Sequence, residues 1–290
     1  MHVPKLLLYC MKDASFFFLL LILFLSKLGT AGEKIQTCFA NDKSKAPLAL
    51  KTAFSLASKP YHYQVLARFP HRTSAFTEGL VFYKNNLYES TGLLGESRVV
   101  KLNLNTGKAL VKSNITEIYF GEGLTVFKQQ LVQISLKKGK VLFFRPDNLQ
   151  LIKEMKFEHE AWGSTTIENQ LVISDGSSNL LFINPEDFKI NKILKVTLQD
   201  KKISGLNELE FAEGNIYANV WPSNCIVEIN PSNGEITGWL DLSKLLPEED
   251  LLPESAVLNG IAYHKQKHSF FITGKFWPFI YQIKLQANDN

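Results

Sequence analysis

A short motif recurs five times along the chain, and its spacing limits the folds that the chain can adopt. Each copy has a glycine or an asparagine that follows bulky residues and precedes an apolar segment. These positions are Gly79, Gly123, Gly163, Asn207 and Asn259, and they are 44, 40, 44 and 52 residues apart. Five copies at such a period are typical of a repeat fold in which each unit contains four short strands.

The residues between the motifs read as strands separated by turns. In the first unit, residues 80–83, 86–90 and 98–102 have strand character, and polar turns occupy residues 84–86 and 103–107. We therefore predict an all-β chain folded as a five-bladed β-propeller. The fifth unit stops near Leu285 without an outer strand, and the isolated strand at residues 61–69 can supply it and close the ring. A two-sheet sandwich is the alternative, and the regular period counts against it.

The N-terminus has the pattern of a secretory signal peptide. Lys5 and Lys12 precede the apolar run 16–25, and small residues follow at 29–32. We predict a signal peptide at residues 1–31, a surface arm at 32–60 and a catalytic domain at 61–290. The mature chain is then expected outside the cell or in the secretory or periplasmic compartment. An uncleaved membrane anchor is the alternative, but the apolar run is short for a bilayer.

The cysteines and the charged residues constrain the location and the partners of the protein more weakly. Cys10 would leave with the signal peptide, so Cys38 and Cys225 either form a disulfide or remain two free thiols. The net charge is +4, with basic and acidic residues interspersed, so a nucleic-acid partner is not expected. The six histidines are scattered, and no role is assigned to them.

The recurring motifs place aromatic and polar residues at equivalent points. In a propeller, the first strand of each blade lines the central channel, so these residues would gather at its entrance and form a small-ligand pocket. A carboxyl group among aromatic rings should have a raised pKa, which suits proton transfer near neutral pH. The alternative is that a glutamate beside a glycine braces the strand opening through hydrogen bonds. The positions concerned are Phe76, Glu78, Phe120, Glu122, Trp162, Asn207 and Glu208.

Six blocks of the chain resemble the plant-type glutaminyl-peptide cyclotransferases, which are five-bladed propellers. The blocks are residues 76–80 (FTEGL), 120–125 (FGEGLT), 206–210 (LNELE), 217–221 (YANVW), 258–263 (LNGIAY) and 273–278 (TGKFWP). They occur in the family's order, and the resemblance extends over residues 61–285. It implies conversion of the N-terminal glutamine of peptides or proteins to pyroglutamate with release of ammonia, by an enzyme unrelated to the zinc-dependent animal cyclases.

The resemblance also implies roles for individual residues. Glu122 would be the proton shuttle, and Asn207 would hydrogen-bond the substrate. Lys275 would stabilise the oxyanion or fix a carboxylate such as Glu78. From its own chemistry, Glu78 would either raise the pKa of Glu122 or bind the substrate's cationic amine. The residues expected to wall the substrate side chain are Phe76, Phe120, Trp162 and Trp221. No cofactor and no metal ligand are expected for catalysis, and whether a structural ion occupies the channel is left open. The mature enzyme is expected to be a monomer without membrane contact.

Two positions depart from the plant pattern. Glu78 stands where the plant members usually carry glutamine, and Leu136 stands where they usually carry tryptophan. Both changes bear on the activity level and the pH optimum. Two other functions stay as alternatives. One is a metal-dependent lactonase that would use Glu78, Glu122, Asn207 and Asn259 as ligands, and the other is a non-catalytic propeller that binds peptide or sugar.

Overall fold

The structure is all-β, as the sequence predicts. It is a computed structural model that describes residues 59–113, 115, 118–136, 139–246, 252–253 and 255–287. The predicted signal peptide, Cys38 and nearly all of the predicted arm lie outside the described residues. Within these ranges the only helix is a single 3-10 turn, Lys265–Lys267. No helix among them is long and apolar enough to cross a lipid bilayer.

Successive stretches of the chain form small antiparallel sheets in which neighbouring strands follow one another in sequence. After β1 (Lys59–Pro70), the first sheet consists of β2 (Thr77–Tyr83), β3 (Asn86–Thr91), β4 (Arg98–Leu102) and β5 (Ala109–Lys112). The second consists of β6 (Gly121–Phe127), β7 (Gln130–Ser135), β8 (Lys140–Phe144) and β9 (Leu151–Lys156). The third consists of β10 (Ser164–Ile167), β11 (Gln170–Ser174), β12 (Asn179–Ile183) and β13 (Ile190–Lys195).

The remaining strands form a short hairpin and one larger sheet. The hairpin consists of β14 (Thr197–Leu198) and β15 (Lys201–Lys202). The larger sheet contains β16 (Leu206–Ala212), β17 (Asn215–Val220), β18 (Cys225–Ile229), β19 (Ile236–Asp241), β20 (Leu258–His264), β21 (Ser269–Gly274) and β22 (Phe279–Ala287). Cys225 is buried in β18 and is disulfide-bonded.

The strand predicted at residues 61–69 is present as β1. It pairs antiparallel with β22, from Tyr61 opposite Ala287 to Pro70 opposite Phe279. Its first two residues run parallel to β19. The larger sheet therefore has the order β16-β17-β18-β19-β1-β22-β21-β20, with β1 joining its two halves.

The hydrophobic core lies between neighbouring sheets. Val99 of the first sheet and Leu142 of the second belong to one buried cluster, and Val132 and Ile173 join the second sheet to the third. Another cluster packs β21 and β22 against the first sheet. The outer strands β5, β9 and β13 are mostly exposed. Burial of the inner strands between sheets explains their continuous apolar sequences.

The opening strands β2, β6, β10, β16 and β20 lie side by side in a circuit, since β20 also contacts β2. Glycine permits this close approach. A Cβ at Gly79 would lie 2.4 Å from the backbone nitrogen of Leu124, and one at Gly163 would lie 2.0 Å from the carbonyl oxygen of Asn207. Any side chain at either position would push two opening strands apart. The recurring motif is thus the place where successive units meet.

Candidate active site

The polar residues of the recurring motif sit at irregularities in strand pairing. The register of β2 against β3 shifts between Thr77 and Gly79, and the shift brackets Glu78. Equivalent shifts in β6, β16 and β20 bracket Glu122, Asn207 with Glu208, and Asn259. A bulge leaves a residue out of the regular ladder and re-aims its side chain. Four of the five opening strands therefore present motif polar groups by the same local device.

Glu78 and Lys275 form a buried ion pair. The Lys275 Nζ donates to Glu78 Oε1 at 2.7 Å, and the Asn259 amide nitrogen donates to Glu78 Oε2 at 3.0 Å. Both members of the ion pair are buried, with Glu78 only 2% exposed. Of the two roles expected for Lys275, the contact in the structure is the one with Glu78.

Burial and neighbouring charges favour the protonated form of Glu122. Burial raises its pKa well above the usual range, and the negative charges of Glu78 and Glu160 raise it further, while Lys275 opposes them. Burial also raises the pKa of Glu78, but Lys275, Asn259 and a hydrogen bond from Glu122 favour its ionised form. A protonated Glu122 can donate to the Glu78 carboxylate. Two carboxyl groups that share one proton are suited to proton transfer.

The backbone of Glu122 is held by a separate hydrogen-bond chain. Gln133 Nε2 donates to Ser90 Oγ at 2.7 Å, and Ser90 Oγ donates to the Glu122 carbonyl oxygen at 2.5 Å. All three side chains are buried. Ser90 therefore fixes the main chain of Glu122 and does not bond its carboxyl group.

Two aromatic pairs accompany the carboxyl groups. The rings of Phe76 and Phe120 meet edge to face at 6.1 Å, and Lys275 Nζ lies 4.3 Å from the Phe76 ring centroid. Trp162 and Trp221 meet at 5.8 Å with nearly perpendicular rings. The backbone amide of Gly123 donates to the carbonyl oxygen of Trp162 at 2.8 Å, so the tryptophan pair adjoins the residue that follows Glu122.

Asn207 is buried and offers an unpaired acceptor. It is 4% exposed, and its Oδ1 atom has no hydrogen-bond partner among the described residues. Its backbone carbonyl oxygen accepts from Ser174 Oγ at 2.6 Å, which holds the main chain in place. An unsatisfied buried acceptor costs about 1–3 kcal/mol unless a ligand supplies a donor, so Oδ1 is a candidate substrate contact. The catalytic and binding roles assigned from the sequence stay predictions.

Glu208 illustrates the bracing alternative. Its carboxyl oxygens accept from the backbone amides of Leu80 at 3.1 Å and Ile261 at 2.8 Å, so it ties β16 to β2 and β20. Burial raises its pKa well above the usual range. The two neighbouring motif residues therefore differ, because Glu208 braces strands and Asn207 keeps an unpaired acceptor.

Sequence reasoning missed a further buried carboxylate, Glu89, and assigned no role to its partner His71. Glu89 accepts from Thr77 Oγ1 at 2.7 Å and from Arg72 at 2.5 Å, and His71 Nε2 lies 2.8 Å from Glu89 Oε1. The available signal was a glutamate inside a short strand, with a histidine and an arginine just before the first motif. That pattern does not reveal which partners meet.

The described residues contain no grouping of three or more His, Cys, Asp or Glu side chains that could hold a metal ion. The four ligands of the lactonase alternative include Glu78, whose two oxygens are already bonded to Lys275 and Asn259. This donor set therefore does not fit a cation site of that kind.

Comparison with known proteins yields a consistent family. A family model described as glutamine cyclotransferase matches residues 35–285. The glutaminyl-peptide cyclotransferase of Arabidopsis thaliana is 38% identical over 241 residues, which are 81% of this chain and 75% of the relative. The crystal structure of Myxococcus xanthus glutaminyl cyclase superposes with a TM-score of 0.75 at 30% identity, covering 80% of this chain and all of that chain.

Proposed function

Since this chain belongs to the glutamine cyclotransferase family, we propose that it is a glutaminyl-peptide cyclotransferase. It would convert the N-terminal glutamine of peptides or proteins to pyroglutamate and release ammonia. The observation that carries the proposal is the buried pair of Glu78 and Glu122 beside Lys275, in which burial and the charge of Glu78 raise the pKa of Glu122. A reaction that moves a proton between two nitrogens of one substrate needs such a group.

Glu122 is the proposed proton shuttle, and Glu78 holds the second carboxyl of the relay. The substrate's α-amine attacks the carbon of its own side-chain amide, so a carbon–nitrogen bond forms in the new ring. The proton lost by the attacking nitrogen passes to the carboxyl pair. As the bond to the amide nitrogen breaks, Glu122 returns a proton to it and ammonia leaves. The pair holds one proton before and after, so no co-reactant is needed.

The rest of the rate enhancement would come from holding the substrate in a reactive conformation. A glutamine side chain is flexible, and cyclisation requires it to be held folded with the amine near the amide carbon. Phe76, Phe120, Trp162 and Trp221 would wall the side chain. Asn207 Oδ1 would accept a hydrogen bond from the substrate amide, and the Lys275 ammonium would stabilise the developing oxyanion.

We also propose that the five sequence units form a five-bladed β-propeller within residues 61–290. The side-by-side opening strands β2, β6, β10, β16 and β20 support this arrangement. The pairing of β1 with β22 supports β1 as the outer strand that completes the last blade. Circular closure of this kind removes a free sheet edge.

The targeting proposals rest on sequence alone. Residues 1–31 would be removed as a signal peptide and residues 32–60 would form an arm, leaving a monomeric enzyme in a secreted, secretory or periplasmic location. N-terminal sequencing of the exported chain should begin at Gly32. Export without cleavage would favour the anchor alternative.

The experiment that tests the activity measures ammonia release by the purified chain from glutaminyl-alanine amide, with a chelator present. The control substrate carries an acetyl group on the α-amine, which removes the nucleophile. We expect ammonia only from the free amine, at a rate that the chelator leaves unchanged, because we propose catalysis without a metal or other cofactor. Binding without turnover would favour the non-catalytic alternative, and loss of turnover with chelator would contradict the metal-free mechanism.

A further inference from the structure

Trp162 connects the buried carboxyl pair to an exposed acidic residue. Its backbone carbonyl oxygen accepts from the amide of Gly123, next to Glu122. Its indole nitrogen donates to Glu160 Oε1 at 3.1 Å. Glu122 is 5% exposed, whereas Glu160 is exposed to solvent. The segment 160–162 therefore leads from the buried carboxyl group to the protein surface.

Glu160 is an oriented carboxylate without a cationic partner. Among the described residues, the indole of Trp162 is its hydrogen-bond partner, and no lysine, arginine or histidine forms an ion pair with it. Glu158, two residues earlier, differs because Lys156 neutralises it at 2.7 Å. The negative charge of Glu160 reaches the site, since it contributes to the raised pKa of Glu122. Glu160 thus presents an uncompensated charge close to the proposed reaction centre.

A peptide bound for cyclisation must leave the site toward solvent. Its first residue is the one that cyclises, so the amine and side chain of the glutamine would occupy the neighbourhood of Glu122. Trp162 links the residue after Glu122 to the exposed Glu160, so a second substrate residue that extends toward solvent on this side would pass Trp162 and Glu160. A cationic side chain there would meet a carboxylate held in a fixed direction, which reduces the entropy lost on pairing.

We propose that Glu160 is a specificity-determining residue that favours peptides with lysine or arginine directly after the N-terminal glutamine. The inference rests on the proposed function and specifies its substrate class. The positive charge that Glu160 recognises could also be the α-ammonium group of the glutamine. The α-ammonium group is common to all substrates. Only a comparison of substrates with different second residues therefore distinguishes it from a lysine or arginine side chain.

The test compares kcat/KM for glutaminyl-lysine amide and glutaminyl-norleucine amide, which differ by the terminal ammonium group. In the wild-type enzyme we expect a two- to five-fold preference for lysine, on the order of an exposed ion pair. Glu160→Gln keeps an acceptor for the Trp162 indole but removes the charge, and the preference should fall to about one. About 0.5 M salt should have the same effect on the wild type because it screens exposed charges.

Glu158→Gln is the matched control, because it removes a nearby exposed carboxylate that Lys156 already neutralises. This variant should keep the preference for lysine. An equal loss of activity on both substrates in Glu160→Gln would assign Glu160 to the α-ammonium group and overturn the inference, as would a wild-type preference of one. If the wild type cyclised neither peptide, the proposed function itself would fail. Cyclisation of the norleucine peptide without a preference for lysine would instead contradict only the role of Glu160.

Discussion

Glu89 and Glu122 are both buried carboxyl groups, but their surroundings shift their pKa values in opposite directions. Burial alone would raise the pKa of Glu89, yet His71, Arg72 and Thr77 together lower it to about 2. Burial raises the pKa of Glu122 well above its usual range, and its neighbour Glu78 adds a negative charge instead of a donor. The difference shows that the partners of a buried carboxyl group decide whether the effect of burial on its pKa is offset or reinforced.

The comparison separates bracing groups from proton carriers. Glu228 resembles Glu89, because it accepts from Tyr61, Asn215, Tyr217 and Thr237 at 2.8 to 3.1 Å. A carboxylate that accepts several hydrogen bonds is fixed in position, so it holds strands together, as Glu208 also does although its pKa is raised. A carboxyl group paired with another carboxyl group can exchange its proton at little cost, and such groups are candidates for catalysis.

Replacement of Glu122 should have the largest effect on activity. Glu122→Gln keeps the volume of the side chain but cannot exchange a proton, so we expect kcat to fall by roughly 10²–10⁴-fold. The thermal unfolding midpoint should stay near or above that of the wild type, since a raised pKa means that the charged form is disfavoured in the fold. Turnover near normal in the folded variant would remove Glu122 from the mechanism.

Replacement of Glu89 should instead act on stability. The folded pKa of about 2 lies below the usual 4.5, so ionised Glu89 stabilises the fold by about 3 kcal/mol at neutral pH. This contribution is fully present above pH 4.5 and disappears as the pH falls through 2. Urea unfolding of wild type and Glu89→Gln across this range should show a difference that shrinks with acidification. A small difference that does not depend on pH would contradict the bracing role.

Replacement of Glu78 should move the pH dependence of catalysis. Glu78→Gln removes the negative charge that raises the pKa of Glu122 and frees the Lys275 ammonium, which lowers it. Both changes favour ionised Glu122, so the acidic limb of the kcat/KM profile should move to lower pH. If Lys275 already offsets the charge of Glu78, the limb barely moves. A shift to higher pH would refute the repulsion between the carboxyl groups.

The smallest expected effect concerns the bracing of β1. Tyr61→Phe removes one donor to Glu228 and should lower the free energy of unfolding by about 1 kcal/mol. Tyr63 lies on the same strand and forms no side-chain hydrogen bond among the described residues, so Tyr63→Phe is a matched control with a smaller expected loss. Equal losses in chemical denaturation would mean that the Tyr61 hydroxyl contributes nothing specific.

The sequence by itself determined the all-β class, the strand at residues 61–69 and the residues of the recurring motif. These features depend on local patterns, such as alternating apolar residues, turn residues and a constant period, which any chain segment carries within itself. The family resemblance followed from six local blocks of residues, and the first of them contains Gly79, where the close approach of the next opening strand requires glycine.

Only the tertiary structure decided what each buried carboxyl group does. Glu78 meets Lys275 across 197 residues of sequence, and Glu208 bonds the backbone of Leu80 across 128. Strand bulges set the direction of the motif side chains, and two adjacent residues, Asn207 and Glu208, acquired different surroundings. A pKa depends on burial and on partners brought together by folding, so a carboxyl group that carries protons and one that braces strands look alike in sequence.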